Sequence, residues 1–286
     1  MLKLFKKVLK IITILIIVLF GALIVLFYRF STPKSDSKIE KDFLKNETEV
    51  YIKHAKFKIF KYRIIATQKE IDTMRPTIVF VHGSIGAAFD FKKYLQNPAL
   101  NKRANLIAYD RVGYGIEHTG NVQESIAFEA EMLDSLLHKL DTKNTILVGY
   151  SYGGPIALAS KKVYKKIILL APAVYSKAEP MPWLLNVYKW KLTEWMLPKI
   201  WKAASKEKLS HKADLQNFED FWMENPSKII SIHGNVDWIV PFENSLYLQE
   251  IFSPKQFDLV TLNEAGHGLV WSHFNEINSI LLQQLN

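Results

Sequence analysis

Residues 145–153 read Thr-Ile-Leu-Val-Gly-Tyr-Ser-Tyr-Gly and join an apolar run to a segment with helical spacing. The run predicts a buried strand that turns at once into a helix, with Ser151 at the corner. Such a corner strains the backbone of its central residue, and Gly149 and Gly153 leave the room that a Cβ would fill. The pattern predicts that the Ser151 hydroxyl stands exposed above a sheet, although a glycine-rich turn without chemistry would read the same way.

Two possible partners of Ser151 follow it in the chain. Asp237 comes just after an alternating strand that begins at residue 229 and runs into a Gly-Asn turn, and His267 follows a second strand predicted at residues 257–262. Both lie in loops at the carboxyl end of a strand, where open parallel sheets build their sites. The chain order is Ser, acid, His, which differs from the order in chymotrypsin and in subtilisin.

These three residue types fit nucleophilic catalysis. A serine hydroxyl is a weak nucleophile at neutral pH, so an imidazole must remove its proton as it attacks. A buried carboxylate fixes the tautomer of that imidazole and stabilises the imidazolium that forms. Taken alone, His267 could be a solvated loop histidine and Asp237 a turn residue. Together and in this order, Ser151, Asp237 and His267 predict a catalytic triad.

A further β-branched run at residues 77–81 predicts another buried strand, and it ends in the motif His-Gly-Ser-Ile-Gly. Acyl transfer places negative charge on the former carbonyl oxygen, which two backbone N–H groups can stabilise by on the order of 3 kcal/mol each. We expect these donors from Tyr152, the residue after the nucleophile, and from Ser84, with Ile85 as the adjacent alternative. We expect His82 to order this loop through hydrogen bonds.

Taken together, these motifs resemble those of the α/β-hydrolase superfamily, in particular its small serine esterases and lipase-like members. The resemblance covers residues 50–286 and includes the stretch Tyr-Asp-Arg-Val-Gly-Tyr-Gly at residues 109–115. In that family, Asp110 and Arg111 form a loop and lie outside the triad. Because position 151 holds serine, the chain departs from epoxide hydrolases and haloalkane dehalogenases, which use aspartate.

Strands and helices alternate along most of the chain, which predicts an α/β fold with a mainly parallel sheet covered by helices on both faces. Residues 50–67 alternate apolar and polar side chains and predict an antiparallel hairpin at the sheet edge. Predicted strands follow at 77–81, 105–109, 145–148 and 166–170, and predicted helices at 89–96, 122–140 and 152–161.

The amino terminus carries an apolar run of 18 residues without a charge, Ile11–Tyr28. With its flanks, this run is just long enough to cross a hydrocarbon core of about 30 Å. A cleavable signal peptide would have a shorter apolar stretch and small residues at the cleavage site, whereas bulky residues follow here. The sequence therefore favours an uncleaved transmembrane signal anchor at residues 1–30. The chain has no cysteine, which excludes disulfides and lipoprotein processing.

Charge and topology point the same way. Four lysines precede the apolar run, and positive charge tends to stay on the cytoplasmic side, so we expect a single-pass membrane protein with its hydrolase domain on the extracytoplasmic, periplasmic side. The formal net charge is +9, but six lysines and arginines precede the first acidic residue. We attribute this excess to topology and anionic lipid headgroups and expect no nucleic-acid partner.

The remaining chain divides into a polar juxtamembrane linker at residues 31–47 and a hydrolase domain at residues 48–286. Within the domain, residues 172–226 are too long for an ordinary loop and resemble the cap or lid of the superfamily. This cap contains five tryptophans, which either line a pocket for an apolar acyl or aryl group or pack the cap onto the core. A further alternative is that the cap inserts into the membrane interface, since tryptophan prefers that region.

The sequence thus predicts a serine hydrolase that cleaves an apolar carboxylic ester, a small-molecule substrate, through an acyl-enzyme at Ser151. No metal or organic cofactor is implied. An amide, thioester or carbon–carbon bond could replace the ester on the same triad, because pocket shape selects the bond. A ligand-binding protein without catalysis and a cap-mediated interaction module at the membrane are the alternatives from other classes.

Overall fold

The computed structural model describes residues 1–285 and contains one eight-stranded sheet with helices on both sides. The strands are β1 (Tyr51–Phe57), β2 (Phe60–Ala66), β3 (Thr77–Val81), β4 (Asn105–Tyr109), β5 (Thr145–Tyr150), β6 (Lys166–Leu170), β7 (Ile229–Gly234) and β8 (Phe257–Leu262). The α-helices are α1 (Leu2–Ser31), α2 (Asp36–Leu44), α3 (Lys92–Leu95), α4 (Pro98–Arg103), α5 (Ile126–Leu136), α6 (Gly153–Ala159), α7 (Lys199–Leu215), α8 (Glu243–Ile251), α9 (Leu269–Ser272) and α10 (Phe274–Gln284).

The strand order is β1-β2-β4-β3-β5-β6-β7-β8, and strands β3 to β8 run parallel. The hairpin β1–β2 is antiparallel and lies at the edge, with β2 paired antiparallel to β4. This confirms the predicted α/β fold with a mainly parallel sheet. All carboxyl ends of the six parallel strands meet at one edge of the sheet, where the crossover connections begin.

The core lies on both faces of the sheet, as strand β3 shows. Successive side chains of a strand point to opposite faces, so Ile78 and Phe80 enter one apolar cluster and Val79 and Val81 enter the other. Every residue of β3, β4 and β5 is buried. These central strands are covered on both faces, which is why their sequences are almost wholly apolar.

The helices are shorter than their sequence patterns predict. The helix predicted at 122–140 begins only at Ile126, because the Ser125 side chain accepts a hydrogen bond from the Phe128 amide and caps the helix there. It ends at Leu136 and continues as a short 3₁₀ turn. The helix predicted at 89–96 is a 3₁₀ turn, Ala88–Phe91, followed by the single-turn helix α3.

The segment predicted as a polar linker, residues 31–47, contains helix α2 and packs on the domain. Ile39 and Phe43 are fully buried in the core cluster beside β2 and β3. The buried Arg63 donates a hydrogen bond to the Lys34 carbonyl at 2.7 Å and forms an ion pair with Asp36 at 2.9 Å. The segment thus differs from a plain flexible linker, because two apolar side chains one helical turn apart find space in the core.

Helix α1 is long and apolar enough to cross a membrane, and its apolar side chains are not buried in the protein. Between β6 and β7, residues 171–228 contain helix α7 and several short 3₁₀ turns, and this connection includes residues 172–226, the segment predicted as the cap. The cap tryptophans divide into two groups: Trp222 is buried against the core, whereas Trp183, Trp190 and Trp195 are exposed. Packing of the cap onto the core therefore explains only part of its tryptophan content.

Candidate active site

The corner between β5 and α6 places Ser151 at the carboxyl edge of the sheet. Ser151 has a left-handed backbone, with φ of 54°, and its amide donates to the Leu170 carbonyl at 2.9 Å. A Cβ at Gly149 would lie 2.4 Å from the Gly153 carbonyl oxygen, and one at Gly153 would lie 2.2 Å from the Val81 carbonyl oxygen. Both glycines are required by close backbone contacts, and together they hold the strained corner residue in place.

Ser151, His267 and Asp237 lie in one hydrogen-bonded row. The Nε2 atom of His267 is 3.0 Å from Ser151 Oγ, and its Nδ1 atom is 2.8 Å from Asp237 Oδ2. Three loops are brought together here, the first and last of them 116 residues apart, because β5, β7 and β8 lie close together in the parallel part of the sheet. The arrangement has the contacts that a nucleophile, a general base and an orienting carboxylate require.

Asp237 lies just beyond β7, and its carboxylate is buried. Its Oδ1 atom accepts the amides of Ile239 at 2.9 Å and Val240 at 3.0 Å. Burial opposes ionisation, but the contacts from His233, His267 and the Val240 amide outweigh it and hold the pKa of Asp237 below its ordinary value. Asp237 is therefore a stable anion beside the imidazole.

His267 is fixed from a second side by Tyr150, the residue before Ser151. The two rings stack at 5.2 Å between centroids, and the Tyr150 hydroxyl donates to the His267 carbonyl at 2.9 Å. Trp271 contacts the other side of Tyr150 edge-on. Tyr150 thus holds both the ring and the backbone of His267, a role that the sequence pattern did not reveal because only the tertiary contact shows it.

The loop after β3 lies directly against Ser151. A Cβ at Gly83 would lie 2.7 Å from Ser151 Cβ and 3.2 Å from Ser151 Oγ, so only glycine fits at this approach. Ser84 and Ile85 follow, and Ile85 has a left-handed φ of 53°. On the other side, Tyr152 stands at the amino-terminal end of α6. The two expected oxyanion donors, the amides of Ser84 and Tyr152, thus belong to segments that flank Ser151.

His82 is fully buried and orders this loop, as expected from the sequence. Its Nδ1 atom lies 2.7 Å from the Gly83 carbonyl oxygen, and its Nε2 atom accepts the Arg111 amide at 2.9 Å. Burial and the nearby Arg111 guanidinium hold the pKa of His82 well below its ordinary value. The ring is therefore neutral, with its proton on Nδ1.

A buried charged cluster lies behind the loop, and sequence reasoning missed its central residue. Glu207, on the cap helix α7, accepts hydrogen bonds from the hydroxyls of Ser84 and Tyr114 and forms an ion pair with Arg111. Glu129, on α5, lies 3.6 Å from the same guanidinium. Glu207 stands in a lysine-rich stretch that resembles a solvated helix face, so no local signal marks it as buried.

The cluster also surrounds the second expected oxyanion residue. The Arg111 guanidinium lies 4.4 Å from the ring centroid of Tyr152, and the His211 ring lies 4.5 Å from it. Burial, followed by the positive charge of Lys208, lowers the pKa of His211 to about 3, so this ring is neutral. Helix α7 thus contacts both segments that flank Ser151. No group of three or more metal-ligating side chains occurs within residues 1–285.

The chain belongs to the alpha/beta hydrolase family, whose sequence pattern it matches over residues 78–275. Among curated relatives, the hydrolase YugF of Bacillus subtilis is 32% identical over 108 residues, which are 36% of this chain and 39% of that protein. The matching part therefore spans less than half of YugF. The AB hydrolase superfamily protein YisY of Bacillus subtilis is 24% identical over 76% of this chain and 94% of its own length.

Solved structures show the same fold. The esterase EaEST of Exiguobacterium antarcticum superimposes with a TM-score of 0.61 at 19% identity, covering 79% of this chain and 96% of that one. A bacterial membrane phospholipase A superimposes with a TM-score of 0.60 at 13% identity and covers 98% of both chains. At these identities the likeness concerns the fold. Esterases are among these structural neighbours.

Proposed function

We propose that this protein is a serine hydrolase that cleaves a carboxylic ester of an apolar acyl or aryl group. The observation that carries the proposal is the placement of His267, 3.0 Å from Ser151 Oγ and 2.8 Å from Asp237 Oδ2. A protein that only binds a ligand has no need of a strained serine, an imidazole and an anionic carboxylate in contact. The esterase among the structural neighbours agrees with this class of chemistry.

The reaction has two halves. Ser151 Oγ attacks the ester carbonyl carbon while His267 Nε2 takes the hydroxyl proton, and the carbonyl oxygen becomes an oxyanion between the amides of Ser84 and Tyr152. The ester C–O bond then breaks, and His267 gives its proton to the leaving alkoxide. A water molecule attacks the acyl-enzyme, again losing a proton to His267, which returns it to Ser151 as the acid leaves.

Asp237 acts through His267 in both halves. Its contact with Nδ1 keeps that proton in place, so that Nε2 is free to accept from the serine. Because Asp237 stays ionised, it also stabilises the imidazolium that forms after each attack. An amide or thioester could undergo the same steps, because the triad itself does not select the bond that is cleaved.

We further assign helix α1 as a membrane anchor, with residues 1–30 spanning the bilayer and the hydrolase domain, residues 48–286, on the extracytoplasmic side. The helix is long enough to span, and its most apolar stretch is not buried by any of residues 1–285. The membrane phospholipase A that matches this fold covers nearly the whole chain, the first helix included. A reporter fused to the carboxyl terminus tests the orientation: activity confined to the cytoplasm contradicts it.

The test of the chemistry uses the full chain in lipid nanodiscs and a fluorophosphonate probe. The wild-type protein should be labelled covalently, and Ser151→Ala should not. The matched control is Ser253→Ala, an exposed loop serine far from the nucleophile in sequence, which should label like the wild type. Nitrophenyl esters of increasing chain length then measure the acyl pocket. Equal labelling of wild type and Ser151→Ala would exclude Ser151 as the nucleophile.

A further inference from the structure

The end of helix α1 is bonded to the cap. The Tyr28 hydroxyl donates to the Trp195 carbonyl at 2.6 Å, and the Trp201 indole N–H donates to Ser31 Oγ at 2.8 Å. The rings of Phe27 and Trp201 lie 5.1 Å apart. If α1 spans the bilayer, its last turn lies at the headgroup level, so the cap residues that hold it also lie at that level.

The cap presents an exposed apolar surface beside this contact. It consists of Trp183, Leu184, Trp190, Leu192 and Trp195, and each of these side chains is more than half exposed. The rings of Trp183 and Trp190 stack on each other at 6.2 Å rather than against the core. A contiguous apolar patch of this kind is unusual on a protein surface that faces only water, and tryptophan favours the membrane interface.

A basic cavity adjoins this surface. It has a volume of about 370 Å³ and is lined by Lys189, Lys199, Lys202 and Lys206 together with a single acid, Glu194. Three of these lysines lie on one face of α7, since their spacing follows the helical repeat. Lys189 and Glu194 are the direct sequence neighbours of Trp190 and Trp195, so the same short segments contribute to the cavity and to the apolar surface. In residues 1–285 none of the four lysines has a carboxylate within ion-pair distance.

We infer that this face of the cap is a membrane-docking surface, in which the tryptophans and leucines enter the headgroup boundary and the lysine cavity holds the phosphate of an anionic phospholipid. The occupant follows from three observations: the cap is bonded to the end of the span, its apolar residues lack a protein partner, and its charge is complementary to an anionic leaflet. The inference rests on the assignment of α1 as an anchor and does not depend on the hydrolytic chemistry.

The docked face is linked to the active site by α7. One face of this helix carries the cavity lysines, and another carries Glu207, which bonds to the hydroxyl of Ser84 beside the nucleophile. A cap seated on a bilayer would therefore bring the residues around Ser151 close to lipid. The surface also defines where an ester substrate dissolved in the membrane would reach the protein.

The test uses full-length protein in nanodiscs and the absence of native cysteine. Three variants each carry one cysteine: Leu192→Cys on the cap, Leu15→Cys in the middle of α1, and Met74→Cys before β3. Each cysteine is labelled with a fluorophore that senses polarity. Position 192 is 82% exposed and position 74 is 89% exposed, and position 74 lies at the amino ends of the parallel strands. Lipids brominated in their acyl chains serve as quenchers.

We expect blue-shifted emission and quenching at positions 15 and 192, and neither at position 74. Quenching at 15 with a response at 192 equal to that at 74 overturns the docking surface. Absence of quenching at 15 overturns the anchor and the docking surface with it. Fluorophosphonate labelling of Ser151 is measured on the same samples, so that failure of the chemistry is distinguished from failure of docking.

A second comparison tests the lysine cavity. In the Leu192→Cys background, quenching should rise when the nanodiscs contain phosphatidylglycerol, and the combined change of Lys199, Lys202 and Lys206 to Gln should remove this rise. The matched control changes Lys139, Lys143 and Lys255, three exposed lysines at the amino ends of parallel strands, and should keep it. Equal loss in both triple variants contradicts a specific headgroup site. If quenching rises equally when inorganic phosphate is added to nanodiscs of neutral lipid, the cavity binds free anions instead of a lipid headgroup.

Discussion

The carboxylate of Glu207 accepts a hydrogen bond from the hydroxyl of Ser84, although the two residues are 123 positions apart in the chain. Ser84 lies in the loop that flanks Ser151, the proposed nucleophile, and Glu207 lies on helix α7. The cap is therefore bonded to the loop that supplies one of the proposed oxyanion donors. Because Glu207 also pairs with Arg111, the bond is part of a buried charged cluster.

Glu207→Gln should lower kcat by about 10-fold or more with a small change in KM, because a displaced oxyanion donor weakens stabilisation mainly in the transition state. The same change leaves Arg111 with only the more distant Glu129 as a buried counter-charge, so we expect a loss of about 3 kcal/mol in unfolding free energy. Steady-state kinetics and chemical denaturation measure the two effects. A lower stability with unchanged kcat would assign Glu207 a structural role only.

Asp237→Asn should reduce kcat by about 10⁴-fold, as the equivalent change does in a Ser-His-Asp protease, because the amide favours the wrong imidazole tautomer. The fold should survive, since the Asn oxygen can still accept the amides of Ile239 and Val240. Turnover of a nitrophenyl ester checks the rate, and circular dichroism checks the fold. Asp258→Asn, on the exposed side of β8, is the control and should retain wild-type turnover. If Asp237→Asn turns over the ester at the wild-type rate, Asp237 is not a member of the catalytic triad.

Gly153→Ala should prevent stable folding, because its Cβ would lie 2.2 Å from the Val81 carbonyl oxygen and 3.0 Å from that of His82. The backbone of β3 cannot move far enough to relieve this overlap without breaking its pairing with β5. Gly266→Ala is the matched control, since a Cβ there meets no atom within 4 Å. Its stability should change by less than about 1 kcal/mol. Thermal unfolding of both variants, followed by fluorescence, decides whether the close approach at Gly153 is required.

Glu129 makes stability depend on pH. Burial and the negative charge of Glu207 outweigh the attraction of Arg111 and raise the pKa of Glu129 from 4.5 to about 7. A carboxyl whose pKa is raised on folding binds more protons when folded, so its stabilising contribution is fully present below pH 4.5 and is lost as pH rises through about 7.

We therefore expect Glu129→Gln to lose less stability than the wild type between pH 5 and pH 8, with a difference of order 2 kcal/mol across that window. Urea unfolding at several pH values measures it. Glu131→Gln, which removes an exposed carboxylate on the same helix, is the control and should follow the wild type. Parallel pH profiles for wild type and Glu129→Gln would show that this carboxyl does not titrate in the window.

Much of the fold is encoded in local patterns. The strands β3, β4, β6 and β8 have the bounds that the sequence predicts, because β-branched runs between turn residues identify buried strands. Helix bounds were less accurate. Periodicity predicts helices that are longer than the observed ones, because Ser125 caps one helix later than expected and a 3₁₀ turn replaces part of another. The linker prediction missed the burial of α2, since two apolar residues in a charged stretch give a weak signal.

By itself, the sequence determined the family, the parallel sheet and the three residues that the structure places in one row, Ser151, Asp237 and His267. It could do so because a sharp strand-to-helix corner needs particular glycines, and because loops at carboxyl ends of parallel strands must meet at one edge. Only the tertiary structure decided that Tyr150 holds His267, that Glu207 bonds to Ser84, and that the end of α1 is bonded to the cap. These contacts join residues far apart in the chain, and their energies depend on burial and on the distance between charges, which no local pattern records.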